Sequence, residues 1–164
     1  MRRASVWTVW MLVVGVVAAA TGCRGRITDA DIRNMSLTDV RLLWLEQRAR
    51  PDQRLLALVD PRSPEAFAEA HIPGAIHLTL PEVAGRREPP GVLTGARRVV
   101  VYAEGPGAVT GRAMTKRLLS MGVGQTRLFG GGIIEWADAG FPVEAGAPEP
   151  LGRSRGEVDR RPVP

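Results

Sequence analysis

Two short and almost unbroken apolar runs constrain this chain most. Leu55-Leu56-Ala57-Leu58-Val59, ending at Asp60, and Arg98-Val99-Val100-Val101-Tyr102 are too short for helices. They read as strands buried on both faces, the pattern of a parallel sheet. Helix signals surround them. Ser36 and Asp39 cap a helix carrying Leu37, Val40, Leu43 and Trp44 at helical spacing, stopped by Pro51. Ser63-Pro64-Glu65 opens a short helix through Phe67 to Ala70. His71-Ile72-Pro73-Gly74-Ala75 turns into a predicted strand over Ile76 to Leu80, and Pro81 to Gly95 reads as mostly surface connection. After the second run, Met114, Leu118 and Met121 share one side of a helix that Gly122 and Gly124 stop. Thr126 to Phe129 is the last predicted strand, and Ile133, Ile134 and Trp136 lie on a short closing helix. Such alternation implies right-handed crossovers, so the predicted class is α/β: one three-layer domain with a central, mostly parallel sheet flanked by helices.

An apolar fraction of 45% in 164 residues suits one domain with its own core. A lone Cys23 excludes an internal disulfide and any cysteine-based metal site. The formal charge is +5, and setting aside Arg2 and Arg3 leaves +3, from 20 basic and 17 acidic residues. No basic run is interleaved with aromatics, so nucleic acid is not an expected partner.

Met1-Arg2-Arg3 followed by the apolar stretch Val6–Ala20 has the grammar of an export signal. Its 15 residues fall short of the roughly 20 that a spanning helix needs. Ala20-Thr21-Gly22-Cys23 resembles the lipobox of bacterial lipoproteins, although Ala20 stands where leucine is commonest. That resemblance implies a signal peptide over residues 1–22, a lipidated Cys23 and membrane attachment through it. Arg24, where inner-membrane lipoproteins often carry aspartate, implies the outer membrane in a two-membrane cell. The polar residues up to Asn34 read as a tether, the domain as 35–146, and the Pro-, Gly- and Arg-rich 147–164 as a disordered tail.

In open parallel sheets ligands sit beyond the carboxyl ends of the strands. The loop after Tyr102, running into a helix start with unpaired amides, is therefore the expected site. A thiolate or sulfur oxyanion would suit it. It reads Ala103-Glu104-Gly105-Pro106-Gly107-Ala108-Val109-Thr110, with no thiol, hydroxyl or imidazole before Thr110.

Asp60, Arg62, His71, Pro73 and Gly74, followed by Gly131, Gly132 and Trp136, match in order and approximate spacing the two signatures of rhodanese-like domains. The chain resembles that family from about Met35 to Glu144. The resemblance implies a sulfurtransferase ancestry in which a cysteine directly after the central strand carries a persulfide, with an arginine near the end of its loop. Here those positions are Ala103 and Ala108. The slightly longer loop resembles the phosphatase branch of the fold, which also depends on a cysteine and an arginine.

Other nucleophiles are poorly served. Thr110 and Arg112 are the polar residues nearest the helix start, and Thr110 reads as a cap. A hydroxyl needs an adjacent base, whereas His71 belongs to a turn and His77 to a strand. A lipidated Cys23 has no thiolate. Asp60 and Arg62 read as partners of their neighbours, and Glu104 as a negative charge opposing an anion in the loop. Neither Gly130-Gly131-Gly132 nor Gly105 to Arg112 has nucleotide-loop spacing, so no cofactor and no metal is expected. The expected function is a lipid-anchored, catalytically inactive module that binds or arranges an unidentified protein partner at the cell envelope. A sensor or carrier of small anions using the residual loop is the alternative, and an enzyme of non-standard chemistry the third.

Overall fold

The computed structural model describes residues 26–148. The export signal, Cys23 and residues 149–164 of the predicted tail lie outside them. The strands β1 (Leu56–Asp60), β2 (Ile76–His77), β3 (Arg98–Tyr102) and β4 (Thr126–Phe129) form one sheet in the order β2-β1-β3-β4. Every pairing is parallel. The helices are α1 (Leu37–Ala49), α2 (Pro64–Glu69), α3 (Leu80–Val83), α4 (Val109–Ser120) and α5 (Gly132–Asp138).

Each face of the sheet has its own core. On one, Val59, Val99 and Val101 pack with Val83, Met114 and Leu118. On the other, Leu58, Val100 and Tyr102 pack with Val40, Trp44, Ile133 and Trp136. Strand residues alternate between the two sets, as a period of two requires. The caps read from sequence are present. Ser36 Oγ accepts the Asp39 amide at 3.2 Å, and Ser63 Oγ accepts the Ala66 amide at 3.2 Å.

Three expectations need correction. The strand expected over Ile76 to Leu80 ends at His77, because Glu82 reaches back to the Thr79 amide at 2.6 Å and starts α3. The stretch from Pro81 to Gly95 is more than surface, since Val83 and Leu93 are buried in it. The Arg117 guanidinium also donates to the Val83 carbonyl at 2.9 Å and to the Arg86 carbonyl at 2.6 Å. Finally, packing starts before Met35. Asn34 bridges Leu128 in parallel, so the preceding segment covers the β4 edge. Asp29 pairs with Lys116 at 2.7 Å and Arg112 at 3.2 Å, fastening this segment to α4.

Candidate functional site

At the centre of the domain lies a buried ion pair. Asp60, the last residue of β1, is 0% exposed, and Arg62 is 6% exposed. The guanidinium donates from Nε to Asp60 Oδ1 at 3.0 Å and from Nη2 to Oδ2 at 2.7 Å, a two-point grip suited to a carboxylate. Nη2 also donates to the Ala70 carbonyl at 2.5 Å. Nη1 lies 3.7 Å from the exposed carboxylate of Glu104. The Tyr102 hydroxyl accepts the Ile72 amide at 3.1 Å. Burial, followed by the negative charge of Asp60, pushes the Tyr102 phenol well above its ordinary range.

This raised phenol has a measurable consequence. In the unfolded chain a tyrosine ionises near pH 10, whereas the folded phenol stays neutral. The stabilisation is complete below that pH and is lost as pH rises through the folded value. Denaturant midpoints measured between about pH 9 and pH 11 should fall with pH, and less steeply for Tyr102→Phe. Parallel slopes would show that Tyr102 does not report the loss.

The signature residues around this pair are structural in their contacts. His71 stacks on Phe67 with centroids 3.9 Å apart, and its Nδ1 lies 2.9 Å from the Phe67 carbonyl. His71 also exchanges two backbone hydrogen bonds with Glu144, each 2.8 Å. His77 Nε2 lies 2.9 Å from the Arg62 carbonyl. The Pro73 carbonyl accepts the Trp44 indole N–H at 2.9 Å, next to the Gly74 turn. Trp136 is fully buried and donates to the Pro142 carbonyl at 2.8 Å.

Ala103 follows β3 directly and is 3% exposed. Beside it, Gly105, Pro106, Gly107 and Ala108 line a cleft of about 460 Å³, closed on its other side by Asn34, Arg112, Gly131 and Glu135. The α5 amides of Ile133 and Ile134 donate to the carbonyls of Ala103 and Glu104, at 2.9 and 3.0 Å, which holds the start of the loop. The helix α4 begins at Val109, with Ala108 as its N-cap and no capping side chain. Thr110 is therefore not the expected cap; it sits exposed in the first turn. Arg112 lines the cleft but is engaged with Asp29.

Glu104 also departs from expectation. Its carboxylate turns toward Arg62 and lines a separate groove of about 270 Å³ with Ile134, Asp138 and Val143. The negative charge on the loop cleft comes from Glu135, which sequence reasoning missed. Glu135 folds back over Gly131, where any Cβ would collide with its carboxylate. The signal lay in the spacing, because a glycine four residues before a helical glutamate leaves that side chain room to fold back. Among the described residues there is no group of three His, Cys, Asp or Glu side chains placed to hold a metal, and no helix is long and apolar enough to cross a membrane.

An open parallel sheet, a loop after its central strand and a helix start behind that loop define a class of α/β domains that bind at the carboxyl edge. The model of the rhodanese-like domain family matches residues 42–139, and the chain belongs to that family. It is 38% identical over 93 residues to an HTH-type transcriptional regulator of Mycobacterium tuberculosis, a match covering 57% of this chain and 39% of that protein. The chain thus spans well under half of the curated relative it matches. Among solved structures it resembles a Rhodopseudomonas palustris protein described as a possible tyrosine phosphatase. The TM-score there is 0.56 at 23% identity, covering 71% of this chain and 87% of the other. It also resembles thiosulfate sulfurtransferase from Pseudomonas aeruginosa, with a TM-score of 0.53 at 21% identity, covering 77% and 22%. At such identities these likenesses show the fold.

Proposed function

We propose that this rhodanese-like domain is catalytically silent and serves, lipid-anchored through Cys23, as a binding or scaffolding module at the cell envelope, with the outer membrane as its destination. The observation that carries this reading is the methyl of Ala103 at the floor of the loop, with Ala108 where the family's arginine would stand. Nucleophilic catalysis needs a nucleophile and an adjacent base. Thr110 has no imidazole beside it, because both histidines are held on backbone carbonyls elsewhere. The groove beside Glu104, with Ile134 exposed on it, offers a partner surface distinct from the loop.

Anion sensing ranks second. The uncapped first turn of α4 leaves amides available. The Glu135 carboxylate on the same cleft opposes an anion there.

The full chain should transfer no sulfur from thiosulfate to cyanide above the uncatalysed rate. Ala103→Cys combined with Ala108→Arg restores the two missing groups, and any gain should appear only in that double variant. Turnover by the unaltered chain that disappears in Thr110→Ala would overturn the silent reading.

A further inference from the structure

The two ends of the sheet differ in charge. The carboxyl ends of the strands carry Glu69, Glu104, Glu135 and Asp138 around the two clefts, where the two cations, Arg62 and Arg112, are paired with Asp60 and Asp29. The amino ends are arginine-rich. Arg54 lies two residues before β1 and Arg97 immediately before β3, joined by the Arg97 amide donating to the Arg54 carbonyl at 2.8 Å. Arg127 is the register partner of Val100, so Arg98, two residues before Val100, projects from the same face. The bridge between Asn34 and Leu128 sets Arg33 alongside Arg127. The end of α1 reaches the same pole, because Gln47 Oε1 accepts the Leu55 amide at 2.8 Å, and it brings Arg48 with it.

Among the described residues these six charges have no counter-ion within an ion pair. Arg54 donates to the carbonyls of Thr94 and Val92, and Arg127 to those of Gly124 and Thr126. Arg48 lies 4.8 Å over the Trp44 ring. Such contacts hold the heads in place and leave the charge uncompensated. Of the acids close in sequence to these arginines, Glu46 is taken by Arg50 at 2.9 Å and Asp31 accepts from the Thr28 amide and hydroxyl at 2.7 and 2.9 Å. Partial burial, then the like charges of Arg98 and Arg33, lower the Arg127 pKa, as crowding of cations requires. Without its leader the chain carries a formal charge of only +3, so the excess at one end is polarisation and not bulk basicity.

We propose that this arginine pole docks the domain on the anionic headgroups of the bilayer that holds its anchor, turning the Ala103 loop and the Glu104 groove outward toward partners. The inference rests on the anchored reading above. Asp29, which α4 holds through Arg112 and Lys116, stands six positions after Cys23, a span of at most ~20 Å when extended, so an acylated Cys23 keeps the domain close to the surface. Separate guanidinium heads spread over one end of the domain suit a planar array of phosphates. Each basic side chain close to such a surface shifts the docked-to-undocked ratio roughly fivefold.

The test is hydrogen exchange of the full chain, purified from the cell envelope and reconstituted into vesicles of phosphatidylcholine alone or mixed with phosphatidylglycerol. Exchange in residues 50–56, 94–98 and 124–128 is expected to slow only on the anionic vesicles, and high salt should abolish the difference. Arg97→Gln with Arg98→Gln and Arg127→Gln should reduce the docked ratio on the order of a hundredfold. Arg33→Gln with Arg48→Gln, both at exposed positions, gives a second variant in which the fold is least disturbed. Equal exchange on both kinds of vesicle overturns the proposal. Protection only by added polyglutamate overturns it in favour of an acidic protein partner. The mass of the chain reports acylation separately: anion-dependent protection of a non-acylated chain removes the anchor and leaves the pole standing.

Discussion

Replacing Arg62 with methionine is expected to destabilise the domain by roughly 3–5 kcal/mol, the cost of leaving a buried carboxylate unpaired. Asp60 has no exposure to solvent, and the guanidinium supplies its bidentate partner as well as a donor for the Ala70 carbonyl. Methionine fills much of the volume and returns none of those hydrogen bonds. The same change made in an Asp60→Asn background should cost less, because no buried charge is then stranded. Chemical denaturation of the four proteins in that cycle measures the coupling. A loss below about 1 kcal/mol for Arg62→Met alone would mean that water reaches Asp60, and the pair would lose its structural role.

Gly132→Ala is the second large effect. Gly132 stands at φ +63°, and a Cβ there would lie 2.5 Å from the Ala103 carbonyl oxygen and 2.6 Å from the Glu104 carbonyl. Relief requires α5 to move away from the loop, which lengthens the hydrogen bonds from Ile133 and Ile134. The left-handed conformation alone costs about 1–2 kcal/mol for alanine. With the clash the total should reach about 3 kcal/mol, a fall in Tm on the order of 10 °C. Gly124→Ala is the control, having no neighbour within 4 Å of the added Cβ and no positive φ. Equal melting of the two variants would show that the junction between α5 and the loop yields without cost.

Much of the fold was legible because its signals are local. Ser36 and Ser63 start helices through their own side chains, and the apolar runs before Asp60 and Tyr102 have the length and continuity of buried parallel strands. The α3 start was equally local, in Thr79 and Glu82, but Pro81 and the glycines that follow drew the segment toward a loop reading. The segment ending at Met35 was different in kind. Its attachment to β4 uses backbone groups, Leu128 to Arg33 at 3.0 Å and Met35 to Leu128 at 2.8 Å, which leave no apolar period to read.

By itself the sequence determined the class of fold, the chain order of its four strands, the family and the alanine in the loop, since each is written in residue type and spacing along the chain. The tertiary structure alone decided the rest: which carboxylate faces which cleft, that Asp29 reaches Arg112 and Lys116, and that arginines from five separate segments meet at one end. Charges have no period to betray them, and their interactions depend on distance through space. Chain folding brings residues as far apart as Arg33 and Arg127 into register.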